Sequence, residues 1–246
     1  PSNSSAASDV YKRQGYIYGR GTQDMKAMAI MQLMSFILLK RKGLPLKRDV
    51  YFIATADEEK EGVYGVIKLL QDIPEIARPG FIITEGGSGT KGVLSVDNRV
   101  IWAVGVGEKK PLFLHLEVRG IAGHGSQPDK NNPNEILIKA LNRVIENKQT
   151  EKTIPLVEET IKRLGKLPDN KFVNAMTKNT ITITTLKAGV GNPPKENVIP
   201  SLSKASLDCR LLPGINPHQF IENLKKVIDD NRIEIKPLKI PEEAPV

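Results

Sequence analysis

The sequence predicts an α/β protein in two parts, a parallel-sheet domain with helices on its faces followed by a ferredoxin-like α+β domain. In the first part, short apolar runs alternate with helix-length segments, which is typical of buried strands in a parallel sheet. From Leu112 onwards, strand-type segments instead alternate apolar and polar residues, the pattern of a sheet with one open face. The length of 246 residues suits one large domain or two small ones.

The composition is that of an ordinary globular protein. With 39% hydrophobic and 26% charged residues, the chain is neither globally disordered nor a collagen or a coiled coil. The formal net charge is +8, but the basic residues are dispersed and only 5% of residues are aromatic, so we expect no nucleic-acid partner. The longest apolar run, Met25 to Leu39, contains Lys26 and Gln32 and is shorter than the ~20 residues of a membrane-spanning helix. We therefore expect no membrane partner.

The first predicted domain covers residues 15–107 and follows a Ser- and Ala-rich stretch, residues 1–14, which we interpret as a tail or junction. A helix is predicted after Met25, with its end at the basic residues that precede Gly43. Two buried strands, Asp49 to Ala56 and Phe81 to Thr84, flank a second helix from Tyr64 to Gln71. Acidic residues follow both strands directly, and the carboxyl ends of parallel strands meet at one edge of a sheet. We therefore expect these carboxylates to converge.

The second predicted domain covers residues 108–241 and has the order strand, helix, two strands, helix, strand. This order suggests a ferredoxin-like unit, with an insertion from Thr150 to Lys178. The lone cysteine, Cys209, lies on the inward-facing side of its strand, so we interpret it as a core thiol. Residues 242–246 are expected to begin a return to the first domain. The predicted strands and helices are Leu112–Val118, Asn134–Asn147, Thr180–Leu186, Lys204–Leu211, a helix with Asn216 as its N-cap, and Ile233–Ile235.

Four acidic residues near these strand ends are the candidate functional residues: Asp24, Glu58, Glu59 and Glu85. Taken singly, each has a structural explanation, as a helix cap, as part of a solvated acidic run, or as a turn residue. Gathered at one point, however, carboxylates repel one another unless a cation neutralises them. Their shared placement therefore indicates a metal site. Oxygen ligands alone suit magnesium, calcium or manganese as well as zinc, and all three histidines fall in the second predicted domain.

The sequence resembles the di-zinc aminoacylase and carboxypeptidase family, which also holds acetylornithine deacetylase and succinyl-diaminopimelate desuccinylase. The resemblance extends from Gly15 to about Pro241, and its most specific part is the combination of GRGTQDMK with DEE. It implies a partial zinc-peptidase catalytic domain followed by an inserted lid or dimerisation domain. The segments that carry it, in the family's order and approximate spacing, are GYIYGRGTQDMK, TADEEKEG, ITEGG, GIAGHGSQP and NVIPSLSKASLDCR.

The resemblance implies a role for each acidic candidate. Asp24 corresponds to the carboxylate that bridges two Zn²⁺ ions, Glu59 to a ligand of one zinc and Glu85 to a ligand of the other. Glu58 corresponds to the general base that deprotonates the bridging water. Other divalent metals, such as Co²⁺ or Mn²⁺, are also compatible with these positions.

The resemblance also implies three functional residues in the lid. His124 corresponds to the histidine that reaches the partner subunit's active site and stabilises the tetrahedral oxyanion. Asn197 and Arg210 correspond to residues that hold the substrate, with Arg210 on its carboxylate. The implied assembly is a homodimer through the lid domain.

Two ligand-bearing segments of the family are missing from this sequence. The family takes one histidine ligand from a His-x-Asp motif upstream and another from the catalytic half that follows the lid. The resemblance therefore implies an internal fragment that lacks both ends of the catalytic domain, and we expect the chain alone to be inactive. Because the native N-terminus is absent under this interpretation, the compartment stays open, although we favour the cytoplasm.

The implied reaction is zinc-dependent hydrolysis of an amide bond next to an amino-acid carboxylate, in a small peptide or an N-acyl amino acid. Exopeptidase, dipeptidase and deacylase activities share these motifs, so the substrate stays open. Two other interpretations also stay open. One is a catalytically silent dimerisation or binding module, and the other is a non-metallic α/β protein whose acidic residues are surface charge.

Overall fold

A computed structural model describes residues 11–60, 62–97, 99–105, 107–147 and 154–241 of the chain. Most of the predicted tail, the start of the predicted insertion and all of residues 242–246 lie outside the described residues. The chain divides into two compact units, Pro1–Gly86 and Gly87–Val246. The division falls before the predicted boundary near Gly107, because the hairpin of Ser88–Lys91 and Val100–Ala103 belongs to the second unit.

The described part of the first unit is mainly helical. Helix α1 begins directly after Met25, as predicted, and ends in Lys40 and Arg41. Gly43, which follows the helix, has a φ of 60°, the left-handed conformation expected of a helix-terminating glycine. The elements of this unit are β1 (Tyr11–Arg13), β2 (Tyr16–Tyr18), α1 (Lys26–Arg41), a 3₁₀ turn (Glu58–Lys60), a π-helical turn (Val63–Ile67), α2 (Lys68–Asp72) and a second 3₁₀ turn (Pro74–Ala77).

The predicted parallel sheet is wrong for the described residues. Within them, neither Asp49 to Ala56 nor Phe81 to Thr84 forms a strand, and every strand pair is antiparallel. Phe81 and Ile83 are 80% and 78% exposed. An apolar β-branched run predicts a preference for burial in a sheet, but a strand forms only where a neighbour supplies its ladder of hydrogen bonds.

The second unit contains the predicted order of strands and helices. Two additional helices, α4 and α5, lie in the predicted insertion. The elements are β3 (Ser88–Lys91), β4 (Val100–Ala103), β5 (Lys110–Arg119), β6 (Gly123–His124), α3 (Pro133–Glu146), α4 (Pro155–Leu164), α5 (Lys171–Thr177), β7 (Thr180–Lys187), β8 (Val198–Ile199), β9 (Leu202–Leu211), α6 (Pro217–Ile228) and β10 (Ile233–Pro237).

A four-stranded antiparallel sheet in the order β10–β5–β9–β7 organises this unit. Its strands alternate as predicted, so one face is apolar and carries α3 and α6, while the other face is polar. Asn216 caps α6 as predicted, since its side chain accepts a hydrogen bond from the Gln219 N–H at 3.1 Å. The fully buried centre of the apolar face consists of Leu112, Leu114, Leu116, Val118, Leu207 and Cys209.

Cys209 is a core thiol, as predicted. It is fully buried, and burial together with the negative charge of Asp208 raises its pKa to about 12. Among the described residues, no helix combines the length and the apolar character that crossing a membrane requires.

Candidate active site

Asp24 lies two residues before the start of α1 and does not cap it. The N-cap residue is Met25, and no side chain donates or accepts a capping hydrogen bond there. The structural explanation of Asp24 as a cap is therefore wrong, and its carboxylate is exposed and available for another role.

Glu58 and Glu59 lie in the 3₁₀ turn that follows segment 50–56, which has no regular secondary structure. Asp57 organises this turn from a left-handed conformation with a φ of 66°. Its carbonyl oxygen accepts hydrogen bonds from the N–H groups of Lys60 at 3.1 Å and Gly62 at 2.8 Å. Asp57 is the positioning residue that the sequence analysis missed, and an Asp at the start of an acidic turn is the signal that could have indicated it.

Glu85 lies close to the other three candidate carboxylates. Loss of solvation, the charge and hydrogen bond of Asp24, and the charges of Glu58 and Glu59 all raise the pKa of Glu85. The segment before Glu85 is held to α1 by Gln32, whose Nε2 donates to the carbonyl oxygen of Thr84 at 3.3 Å. Glu85 thus interacts electrostatically with carboxylates from two other segments of the chain.

This group of carboxylates has the electrostatic character of a cation site without the geometry of an assembled one. Among the described residues, no basic side chain forms an ion pair with any of the four. Mutual repulsion of this kind fits a divalent cation, which would neutralise it. However, the described residues contain no group of three His, Cys, Asp or Glu side chains close enough together to hold a metal ion.

His124 and Asn197 are neighbours in the second unit. His124 lies on β6, which pairs antiparallel with β8 so that His124 is opposite Val198. The N–H of Gly125 donates to the carbonyl oxygen of Asn197 at 2.7 Å. A Cβ at Gly125 would approach that oxygen to 3.3 Å, so the close approach favours glycine.

The ring of His124 is oriented by Ser126. Its Nδ1 accepts a hydrogen bond from the Ser126 N–H at 3.2 Å and lies 2.8 Å from the Ser126 Oγ. Because a neutral imidazole that accepts at Nδ1 carries its proton on Nε2, this geometry makes Nε2–H a hydrogen-bond donor. The sequence analysis included Ser126 in a motif but gave it no role.

Arg210 lies on the polar face of the sheet, as predicted from the alternation of β9. Its Nε and Nη2 donate to the two carboxylate oxygens of Asp208 at 2.8 and 3.1 Å. Its Cζ lies 5.6 Å from the centroid of the Phe113 ring. Asp208 was also missed by the sequence analysis, although residues two apart on a strand share a face.

The remaining charged residues of the polar face have a structural explanation. Glu117 is nearly buried, and the ammonium groups of Lys204 and Lys236 lower its pKa to about 2 through hydrogen bonds and charge. His115 is exposed on the same face, and His218 is exposed in the first turn of α6.

Comparisons with known proteins identify a matching family and several relatives of this chain. The profile of the M20 peptidase dimerisation domain matches residues 106–235. The N-fatty-acyl-amino acid synthase/hydrolase of Homo sapiens is 30% identical over 266 residues, which cover 96% of this chain and 51% of that protein. Aminoacylase-1 of Sus scrofa is 29% identical over 214 residues, covering 86% and 46%. The chain therefore spans about half the length of the curated relatives it matches.

A solved structure shows the same fold. The M20 family metallo-carboxypeptidase Sso-CP2 from Sulfolobus solfataricus matches with a TM-score of 0.53 at 21% identity, over 93% of this chain and 59% of that one. At this level of identity the likeness concerns the fold alone.

Proposed function

Because the chain belongs to the M20 peptidase family, whose members are hydrolases, we propose that it forms part of an enzyme that hydrolyses an amide bond next to an amino-acid carboxylate. The substrate class is a small peptide or an N-acyl amino acid. Aminoacylase-1 and the N-fatty-acyl-amino acid hydrolase are relatives whose names describe such substrates. The observation that carries the proposal is the match of residues 106–235 to the peptidase dimerisation domain, and the electrostatic interaction of Glu85 with Asp24, Glu58 and Glu59 supports it.

We assign two Zn²⁺ ions to this group of carboxylates. Asp24 would contact both ions, and Glu59 and Glu85 would hold one each. Bound zinc would supply Lewis acidity that lowers the pKa of water. The electrostatic interaction of Glu85 with Asp24, Glu58 and Glu59 supports the assignment, because a divalent cation would relieve the repulsion among these carboxylates.

Glu58 is the proposed general base. It is exposed, belongs to the same group of carboxylates and is not needed as a ligand. Its carboxylate would take the proton of the attacking water and deliver it to the leaving amine. The neighbouring positions of Glu58 and Glu59 thus serve two different functions.

The second unit contributes the residues that recognise the substrate. The Nε2–H of His124 is a donor suited to a developing oxyanion, and Asn197 and Arg210 would hold the substrate, with Arg210 on its carboxylate. The peptidase dimerisation domain supports a homodimer, in which His124 would act in the partner's active site. We also propose that the second unit is the lid domain of the complete enzyme.

The 246-residue chain by itself should be hydrolytically inactive and bind zinc weakly. Catalytic zinc sites generally include imidazole ligands, and all three histidines of the chain belong to the second unit. The first unit therefore offers oxygen ligands only. We propose that the histidine ligands come from outside this chain, in a protein of the length of the relatives.

The second candidate function is a catalytically silent dimerisation module. One observation favours it, namely that the described residues contain no assembled group of three metal-binding side chains. Under this alternative the acidic residues have no common task, and replacing any one of them would leave the behaviour of the protein unchanged.

Substitution of Glu58 and Glu59 in the complete protein tests the proposed function. Glu58→Gln should lower kcat for an N-acyl amino acid by about 10²–10⁴-fold, because it removes the catalytic base, while zinc content measured by atomic absorption stays unchanged. Glu59→Gln should lose zinc. Normal turnover of Glu58→Gln at full zinc occupancy would contradict the assignment, and no hydrolysis by the zinc-loaded wild-type protein would favour the silent module.

A further inference from the structure

We infer that Asp208 is a positioning residue that presents one edge of the Arg210 guanidinium to a ligand carboxylate. The inference deepens the proposed function and rests on it for the identity of the ligand as substrate. It begins from the two hydrogen bonds that Asp208 accepts from Nε and Nη2 of Arg210, at 2.8 and 3.1 Å. This bidentate contact fixes the plane of the guanidinium as well as its position.

The guanidinium is held on one edge and one face. Asp208 occupies the Nε edge, and the Phe113 ring lies 5.6 Å from Cζ. Phe113 is placed there by the sheet register, because it lies opposite Asp208 in the pairing of β5 with β9. Within the described residues, no acceptor binds Nη1 of Arg210, so the edge formed by Nη1 and Nη2 is open. That edge is the one that matches a carboxylate with two parallel hydrogen bonds.

A second Asp-x-Arg pair in the same unit contains a guanidinium whose three nitrogens all donate to protein acceptors. Arg232 donates from Nε and Nη2 to Asp230 at 2.9 and 2.6 Å, the same arrangement as at Arg210. In addition, its Nη1 donates to Oδ1 of Asn131 at 3.2 Å, which ties two loops together. Arg232 is therefore a structural arginine, whereas the equivalent nitrogen of Arg210 has no such partner among the described residues.

Lys109 adds positive charge without competing for the ligand. Its ammonium donates to the carbonyl oxygens of Ala175 and Lys178 at 2.9 and 2.8 Å and contacts Oγ1 of Thr180 at 3.3 Å. All three of its hydrogens are thus used within the protein. Burial, and to a smaller extent the charge of Arg210, lower the pKa of Lys109 to about 8.

The charge balance at this end of the sheet favours an anion. Lys109 and Arg210 bring two positive charges at neutral pH, and Asp208 neutralises only one of them. Lys109 also holds the start of β7, where Thr180 lies opposite Arg210. Arg210 is consequently the group with hydrogen-bond donors left for a ligand, and Asp208 determines which of its edges is left.

Asp208→Asn in the complete protein tests this inference, with Asp230→Asn as the matched control. Asn keeps the size of Asp but loses its charge and one acceptor, so we expect the KM for an N-acetyl amino acid to rise about tenfold. The kcat should stay within about twofold, since the reacting atoms are untouched. The carboxamide analogue of the substrate should show no change in KM, and Asp208→Glu should recover part of the loss. Asp230→Asn should leave all these values unchanged.

A second measurement separates this inference from the proposed function. Titration of the 246-residue chain with N-acetylglycine should shift the ¹⁵N signal of Arg210 Nε, and the shift should require about tenfold more ligand in Asp208→Asn. If the complete wild-type protein shows no hydrolysis while this shift is observed, the proposed function fails and the carboxylate site stands. The inference is overturned if N-acetylglycine leaves the wild-type Arg210 signal unmoved. It is also overturned if Asp208→Asn leaves KM unchanged. A lower KM would overturn it as well, because Asp208 would then be a competitor of the ligand.

Discussion

The two units differ completely in how their apolar side chains are used. Every buried hydrophobic side chain among the described residues belongs to the second unit, from Leu94 to Ile233. In the first unit, α1 has no buried residue, and its Ile30 and Met31 are 58% and 61% exposed. Large apolar side chains such as Tyr51 and Phe81 are also exposed.

The difference shows that apolar sequence and buried core are separate properties. In the second unit, α3 and α6 cover one face of a sheet whose strands are hydrogen-bonded side by side. Each strand therefore has a neighbour that pairs with its backbone and helps to bury its apolar side chains. In the described part of the first unit, segments 50–56 and 81–84 form no strand and have no strand partners. Burial of apolar surface is the main favourable term in folding, so the second unit should carry most of the stability of the chain.

Separating the units should give the largest effect. Residues 87–241 expressed alone should unfold in one cooperative thermal transition, because they contain the whole buried core. Residues 15–86 should show no cooperative transition and should bind the dye ANS, which reports exposed apolar surface. Differential scanning calorimetry and ANS fluorescence of both pieces check this. A cooperative transition in residues 15–86 would contradict the prediction, because it would show that the first unit also has a stable core.

One leucine from each unit should sharpen the comparison. Leu207 is fully buried, whereas Leu38 on α1 is 45% exposed. Leu207→Ala should lower the free energy of unfolding by about 2–5 kcal/mol, through lost transfer energy and a cavity. Leu38→Ala should change it by no more than about 0.5 kcal/mol. Urea unfolding of the whole chain followed by circular dichroism measures both, and equal losses would contradict the assignment of the core.

The smallest effect is expected from pH and should again be confined to the second unit. The folded-state pKa of Glu117 is lowered to about 2, below its ordinary value of 4.5. Its contribution to stability is therefore present above pH 4.5 and is lost as the pH falls from there towards 2. Glu117→Gln should lower stability at neutral pH and flatten the acid dependence of the unfolding midpoint over this interval.

Glu135→Gln provides the control for that measurement. Glu135 also forms an ion pair, with Lys139 at 3.9 Å, but both side chains are exposed. Its replacement should leave the unfolding midpoint between pH 2 and 4.5 nearly unchanged. An identical acid profile for wild type and Glu117→Gln would show that the Glu117 cluster contributes nothing to this dependence.

Local patterns predicted the second unit well, because its elements are specified by nearby residues. The alternation of β5 and β9 indicated the buried face, and Asn216 followed by Pro217 indicated the start of α6. The prediction of parallel strands in the first unit was wrong for the described residues, since a strand depends on partners that are distant in the sequence. The convergence of the acidic residues was expected from parallel strands that the described residues do not form, and the assignment of ligands to each zinc stays a prediction.

Two of the residues that the sequence analysis missed act on another side chain. Ser126 orients His124, and Asp208 orients Arg210. Each lies two residues from the group it controls, yet nothing in its own chemistry suggests a catalytic task. A sequence motif identifies groups that react or bind. The groups that orient them are identified from the hydrogen bonds of the folded structure.

The burial of Cys209 gives this chain an internal reporter of its own opening. The chain has a single cysteine, and that thiol is shielded from solvent with a pKa of about 12. A thiol reagent at neutral pH needs the thiolate, so labelling must wait until the sheet around β9 opens. The labelling rate therefore measures how often the second unit opens, without any added probe. Followed by mass spectrometry with and without N-acetylglycine, it would report whether a carboxylate bound one residue away, at Arg210, slows that opening.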